Sequence, residues 1–328
     1  WQVAGNGVGG RCESFLETRW TIIMISMRFS NETDSARQAG TPLVALESTL
    51  ISHGLPHPDN IDVARRAEEA VRGAGAAPAT MAVLDGVAHI GLDDAAITQL
   101  ATHAGVVKLS RRDLPVALSG CEAAPTAGAT TVSATMILAQ QAGIGVFATG
   151  GIGGVHRDVA DSMDISADLH ELAMTPVATI CAGPKAILDL QRTREYLETV
   201  GVTLVGYRTD DMPAFWSRHS GLPVDMRAET PEEIACVIAA RQQLDIGGAV
   251  LVCNPVAEEV AIELDVIEGW IDSCINDAPA GAAATPWLLA EIARRSDGRS
   301  LEVNKRLIID NAALAGRVAV ALANIQSS

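Results

Sequence analysis

The chain has 328 residues, with 24 Lys and Arg against 40 Asp and Glu and a formal net charge of −16. That length supports one large or two ordinary domains, and 48% hydrophobic residues suffice to bury a sizeable core. The deficit of cations argues against a non-specific DNA or RNA binder, because phosphate-backbone affinity comes mostly from Lys and Arg. Six cysteines, at positions 12, 121, 181, 236, 253 and 274, form no CxxC pair. They signal neither a disulfide scaffold nor a thiolate zinc site, and a reducing, cytoplasmic setting fits them best.

No uninterrupted apolar run reaches the roughly 18 residues that cross a bilayer. The longest run near the start, Trp20 to Met27, has Thr and Ser inside it, so the chain is read as soluble and without a membrane partner. The first 26 residues lack the apolar core and small-residue cleavage site of a signal peptide, and Met24 and Met27 are candidate starts. Residues 1–40 are therefore expected to be an extension outside the fold, residues 41–322 the domain, and residues 323–328 a tail.

From Thr41 onward, short apolar runs alternate with longer Ala-rich segments of helical spacing. This is the pattern of an α/β protein with a buried, largely parallel sheet. The expected strands are Leu43 to Leu46, Met81 to Leu84, Val106 to Leu109, Gly145 to Ala148, Val177 to Cys181, Thr203 to Tyr207 and Ala249 to Cys253. Asn60 to Gly73 reads as a helix with Ile61, Val63, Ala64, Ala67 and Val71 on one face. Thr230, Pro231 and Glu233 supply an N-cap, a first-turn Pro and a capping-box acid for a helix to about Leu244. Gly73 to Pro78 and Asp277 to Ala284 read as surface connections. With no repeat, charge tract or mid-chain linker, the expectation is a single three-layer α/β/α domain around a mainly parallel mixed sheet.

Ligands in such folds bind beyond the carboxyl ends of strands, so polar residues directly after apolar runs are the candidates. Glu47 follows the first strand and reads either as a general acid or base or as a loop-tethering acid. His53 and His57, flanking a Gly and two Pro, read first as loop packing. Lys108, Arg111 and Arg112 gather basic charge behind a strand, suited to a small anion or to internal pairing with Asp113. The turn Thr149-Gly150-Gly151-Ile152-Gly153-Gly154 can present backbone amides to an oxyanion, or merely turn tightly; its spacing is not a dinucleotide fingerprint. Asp164 and Asp168, four apart, would share a helix face and suit a hydrated Mg²⁺ or Mn²⁺, or form a solvated acidic face. Lys185 follows Cys181-Ala182-Gly183-Pro184 at an expected helix start, where the ammonium is disfavoured and a Schiff-base amine becomes available, against the commoner reading of a solvated Lys.

In order along the chain, the strings ALESTLISHGLP (45–56), KLSRRDLP (108–115), GATTVSATM (128–136), VFATGGIGGVHR (146–157), DISADL (164–169), CAGPKAILDL (181–190), GYRTDDMPAFW (206–216) and SLEVNKRLIIDNAALA (300–315) resemble the pseudouridine-5′-phosphate glycosidase family, which includes the indigoidine synthase A proteins. The resemblance covers about residues 41–322. It implies a homotrimeric α/β/α enzyme that uses Mn²⁺, or Mg²⁺ or another divalent ion, to cleave the C–C glycosidic bond of pseudouridine 5′-phosphate into uracil and ribose 5-phosphate. Matched motif to motif, Lys185 would be the covalent nucleophile and Glu47 the proton donor. Asp164 would be the metal ligand. Lys108, Val132, Ser166, Ala167 and Asp168 would contact substrate, with Thr149, His156 and Asn304 as further pocket residues. Arg111 and Arg112 are assigned to anion steering on their charge alone. Two other readings stand beside this one: a phosphosugar enzyme of the indigoidine pathway with a different substrate, and a non-catalytic small-molecule-binding protein.

Overall fold

A computed structural model describes residues 25–279 and 284–327. The strands are β1 (Met27–Phe29), β2 (Leu43–Leu46), β3 (Ala77–Leu84), β4 (Val87–Ile90), β5 (Val107–Leu109), β6 (Ala127–Thr130), β7 (Val146–Ala148), β8 (Ala178–Cys181), β9 (Thr203–Tyr207), β10 (Met226–Ala228) and β11 (Val250–Cys253). The helices are α1 (Asn31–Ala39), α2 (Asp59–Gly73), α3 (Asp94–Thr102), α4 (Leu114–Ala117), α5 (Val132–Gln141), α6 (Val159–Ser162), α7 (Ala167–Met174), α8 (Leu190–Thr199), α9 (Pro231–Leu244), α10 (Leu264–Asp272), α11 (Ala284–Arg295) and α12 (Arg299–Gln326). The strands described form one sheet in the order β1-β4-β3-β2-β7-β8-β11-β9-β10, with β6 pairing β3 and β5 pairing β6. Pairing is parallel from β3 through β10, and antiparallel at β3–β4 and β3–β6.

The central strands read as continuous apolar runs because both of their faces are covered. Val44, Leu46, Val146, Ala148, Ile180, Val250 and Val252 point to one core, packed with Ala67 and Val71 of α2, Ile234 and Ile238 of α9, and Leu314 and Val318 of α12. The alternate residues Ala45, Phe147, Cys181, Leu251 and Cys253 enter the opposite core, with Met136 of α5, Leu169 of α7 and Leu197 of α8. The period of two along each strand thus builds the three layers expected. A third cluster joins Phe215 and Trp216 to α10, α11 and the first turns of α12. By length and composition α12 is apolar enough to cross a bilayer, but it lies across the sheet with 56% of that stretch buried.

Helix α9 starts as its residues require. Thr230 accepts the Glu233 N–H, and Glu233 reaches back to the Glu229 N–H at 2.6 Å. In α2 the buried face carries Val63, Ala64, Ala67 and Val71, together with two polar residues, Asn60 and Glu68. Asn60 holds the Ile51 carbonyl at 2.7 Å, and Glu68 accepts from Thr80 at 2.6 Å and from Arg72 at 3.1 Å.

Several expectations need correction. The domain does not begin at residue 41: β1 pairs in parallel with β4, and α1 docks through the buried Thr33 hydroxyl, which donates to the Ile90 carbonyl at 2.8 Å. Nor does it end at 322, since α12 continues to Gln326. Residues 1–24 and Ser328, in the expected extension and tail, lie outside the described residues, as do 280–283 of the expected Asp277 to Ala284 loop. Strand β3 starts at Ala77, inside the expected Gly73 to Pro78 connection, because it pairs with β2 from that point. Strands β1, β4, β6 and β10 were not expected. Strand β6 reads Ala-Gly-Ala-Thr, a composition of low strand preference, and is a strand because β3 and β5 flank it.

Candidate active site

Leu46 stands opposite Ala148, and Ala148 opposite Ile180, so Glu47 and Thr149 leave the sheet at the level of Cys181, the last residue of β8. Cys253 pairs with Cys181 and brings Asn254 to the same rim. The Glu47 carboxylate is held from two sides. The Thr149 hydroxyl donates to Oε1, and the Thr49 hydroxyl lies 2.6 Å from Oε2 and 2.7 Å from the Thr130 carbonyl.

The glycine string after β7 owes its composition to close approach. A Cβ on Gly151 would meet the Phe215 ring at 2.6 Å, one on Gly153 the Ser166 Oγ at 2.1 Å, and one on Gly154 the Thr193 Oγ1 at 2.5 Å. Some of its amides, and the one that follows it, are engaged. Gly153 donates to Asp168 Oδ2 at 2.9 Å, Ile152 to the Gly183 carbonyl at 3.2 Å, and Val155 to Thr193 at 3.0 Å. These bonds brace the turn through Thr149, Ile152 and Gly153.

Asp168 is buried, and its second oxygen accepts the Ser133 N–H at 3.1 Å, tying α7 to the first turn of α5 beside Val132. Ser166 caps α7, accepting the Asp168 N–H at 3.3 Å, and Ala167 opens the helix. Asp164 lies before that cap, so Asp164 and Asp168 do not share a helix face. The Asp164 carboxylate is about a third exposed, 3.9 Å from His156 Nε2, while the Asp164 carbonyl accepts the His156 N–H at 3.1 Å. No group of three His, Cys, Asp or Glu among the described residues converges on a metal position. One carboxylate with water on the remaining positions suits a hydrated divalent ion, and the donor set does not suit a closed cage.

Lys185 is not at a helix start. Residues 184–189 form a turn, and α8 begins at Leu190. Gly183 turns the chain there with φ +84°, where a Cβ would fall 2.0 Å from the Pro213 carbonyl. Lys185 donates its N–H to the Ile152 carbonyl at 3.1 Å. Its electrostatic neighbour is Lys108 on β5. Lys108 keeps part of its access to solvent. Loss of solvent and then the Lys185 charge push the Lys108 ammonium down, against the pull of Asp168 and Glu47. His53, expected to serve loop packing, lies near enough to feel the Lys108 charge: partial burial and that charge lower it. Lys108 therefore lies within electrostatic reach of Glu47, His53, Asp168 and Lys185.

Arg111 and Arg112 each have a carboxylate partner. Arg111 pairs with the fully buried Glu171 at 2.6 Å, and Arg112 is exposed beside Asp113 at 3.5 Å. Asn304 is buried, accepting the Trp216 indole N–H at 2.8 Å. Sequence reasoning overlooked Asn311, one helical stretch further along α12. Fully buried, it donates to the Thr149 carbonyl at 2.8 Å and to that of Gly150 at 3.3 Å, and it accepts from Asn254 at 3.0 Å. Its only sequence signal is an amide in the Ala/Leu-rich face of a core helix.

The lowered Lys108 has a stability consequence. In the window between its folded value and the ordinary 10.5, the unfolded chain holds more protons, so wild-type stability rises as pH climbs through that window. Lys108→Met is expected to raise Tm at about pH 7, with a gain that narrows towards about pH 10. Thermal unfolding at both pH values checks this, and an equal gain at each would refute it.

Residues 32–321 match the family described as indigoidine synthase A like protein. A pseudouridine-5′-phosphate glycosidase of Methylobacterium nodulans is 53% identical over 304 residues, covering 92% of this chain and 89% of the relative. One from Caldanaerobacter subterraneus is 50% identical over 298 residues, covering 89% and 95%. Among solved structures, a prealnumycin C-glycosynthase in complex with ribulose 5-phosphate superposes with a TM-score of 0.84 at 37% identity, covering 92% of this chain and 98% of that one. An indigoidine synthase A-like protein of Thermotoga maritima gives 0.83 at 34% identity, covering 91% and 97%. With a parallel-strand rim that gathers a carboxylate and two lysines, and with these likenesses over nine-tenths of its length, the chain belongs to the indigoidine synthase A like family.

Proposed function

We propose that this protein is a pseudouridine-5′-phosphate glycosidase, cleaving the C–C bond between uracil and ribose 5-phosphate reversibly through an imine on Lys185. The observation that carries the reading is that Lys185, after β8, and Glu47, after β2, both lie within electrostatic reach of Lys108 on β5. Relatives about half identical over most of both chains bear that name, and a structural neighbour takes a five-carbon sugar phosphate.

A base joined through carbon is a poor leaving group for hydrolysis by two carboxylates alone. Ring opening breaks C1′–O4′, with O4′ taking a proton from Glu47 while electrons of the uracil ring stabilise C1′. The neutral amine of Lys185 then bonds to C1′ and releases a proton, which restores the Glu47 acid. Next the nitrogen lone pair forms C=N as the C1′–C5 electron pair passes to uracil C5, which takes the proton from Glu47. Water hydrolyses the imine to ribose 5-phosphate and frees the amine. The hydroxyls of Thr49 and Thr149 hold Glu47 in place for both transfers, and Lys108 supplies positive charge for an anionic substrate.

Asp164, with His156 beside it, would hold Mn²⁺ or a similar divalent ion largely through water. Such an ion supplies fixed positive charge and ordered water next to the sugar phosphate. Ser166 to Asp168, Val132, Thr149 and Asn304 belong to the proposed substrate surroundings. A homotrimer is part of the proposal on family resemblance, and a cytoplasmic setting is supported by the free thiols of Cys121, Cys181, Cys236, Cys253 and Cys274. The C-glycosynthase neighbour favours a second reading, the same imine chemistry with another aglycone. Release of uracil from pseudouridine 5′-phosphate separates the two.

Borohydride with ribose 5-phosphate is expected to leave a reduced sugar adduct on Lys185, lost in Lys185→Ala. Mass spectrometry checks it; no adduct in the wild type, or an undiminished one in the variant, removes the imine. Glu47→Ala is expected to slow uracil release by roughly 10² to 10⁴ without unfolding the protein, and near-normal turnover would take Glu47 out of the mechanism. Chelation is expected to abolish uracil release and Mn²⁺ to restore it, whereas full activity in chelated protein would refute a metal at Asp164.

A further inference from the structure

We propose that Arg157 is a positioning residue for Lys185, a clamp that sets the backbone from which the reacting amine projects; this rests on the assignment of Lys185 above. The segment that carries Lys185 has no helix or strand to hold it. Its own peptide is fixed by the Lys185 N–H on the Ile152 carbonyl at 3.1 Å and by the Leu188 N–H on the Lys185 carbonyl at 3.0 Å. The next two carbonyls, of the buried Ala186 and Ile187, accept from Arg157 Nη2 and Nε, each at 3.2 Å.

The same guanidinium closes a two-pronged pair with Glu268 on α10, Nη1 to Oε2 at 2.7 Å and Nη2 to Oε1 at 2.8 Å. These contacts use four of its five N–H donors, and the fixed plane of the group transmits the position of α10 to the turn. The side chains of Ala186, Ile187 and Leu188 are buried in one cluster with Ile267 and Ile271 of α10. Apolar packing thus grips the turn from one side while the guanidinium grips its carbonyls. Arg157 also follows His156, which approaches Asp164, so one dipeptide borders both the proposed metal side and the nucleophile's turn.

Without the guanidinium, two buried carbonyls and the Glu268 carboxylate lose their partners together. The turn must then relax, and a displacement of about 1 Å in a reacting group costs roughly 10² in rate. An ion pair that only tethered α10 would alter stability and leave the amine's reactivity untouched.

The test uses Arg157→Met, Arg157→Lys and Glu268→Gln in the full chain, with two readouts. In Arg157→Met the rate of borohydride trapping with ribose 5-phosphate is expected to fall about 10²-fold, while calorimetric affinity for that sugar stays within about threefold. Hydrogen exchange at the Lys185 and Leu188 amides is expected to speed up by about tenfold or more, with the β2, β7 and β8 amides unchanged. Arg157→Lys, able to reach one carbonyl and not two, should fall between wild type and Arg157→Met. Glu268→Gln keeps the hydrogen-bonding shape and should lose less than tenfold in trapping rate.

Unchanged trapping and exchange in Arg157→Met would overturn the proposal. So would a fall in rate matched by an equal fall in affinity and a general loss of protection, since that is a plain structural role. If Arg157→Met does not fold, Arg157→Lys decides on the same readouts. Absence of any adduct in the wild type would instead refute the imine reading, and exchange at Lys185 and Leu188 would still report on the clamp.

Discussion

The parallel register of β2, β7, β8 and β11 is the constraint on which the site rests. Their side chains alternate between two dry cores, so a slip of one residue would turn every apolar side chain to the wrong face. The register that satisfies both cores also brings the carboxyl ends of these strands to one rim. Glu47 and Thr149 therefore meet, with Asn254 on the same rim, because of the packing of Val44, Phe147 and Leu251, residues with no chemistry of their own. Asn311 adds the polar counterpart: a buried amide cannot be left without partners, and its partners are the carbonyls of the turn after β7 and the side chain after β11.

Charge is distributed with similar economy. Many arginines of this acidic chain sit in ion pairs that hold elements together: Arg111 with Glu171, Arg157 with Glu268, Arg194 with Asp225. Lys108 and Lys185 are instead placed close enough for their charges to oppose each other, offset by Asp168 and Glu47. Two ammoniums held near one another are unfavourable in the empty protein, and an anionic ligand relieves that repulsion. The surrounding backbone resists relaxation of this arrangement, because Gly151, Gly153, Gly154 and Gly183 admit neighbours at distances that any side chain would block.

Much of this was legible in the amino-acid order. The alternation of apolar runs and Ala-rich segments specifies a buried parallel sheet, since only a strand covered on both faces tolerates four consecutive apolar residues such as Leu43 to Leu46. Capping residues marked the start of α9 because Thr230 and Glu233 act through local hydrogen bonds. Acids and lysines placed directly after apolar runs marked Glu47, Lys108 and Lys185 as candidates, because ligands in these folds sit beyond strand ends.

Tertiary structure decided the rest, for reasons local pattern does not carry. Strand β6 and the short β1 exist through their partners, so their composition is uninformative. Whether Arg111 steers an anion or answers a buried Glu171 sixty residues away depends on which chain segment covers that carboxylate. Asp164 and Asp168 are four apart in sequence, but a Ser166 cap between them starts the helix too late for them to share a face. Lys185 lost its expected helix terminus and gained a turn held by Arg157. Short-range hydrogen bonding and side-chain period are written in neighbouring residues, whereas a pairing between distant segments is settled only when burial leaves each polar group a single partner within reach.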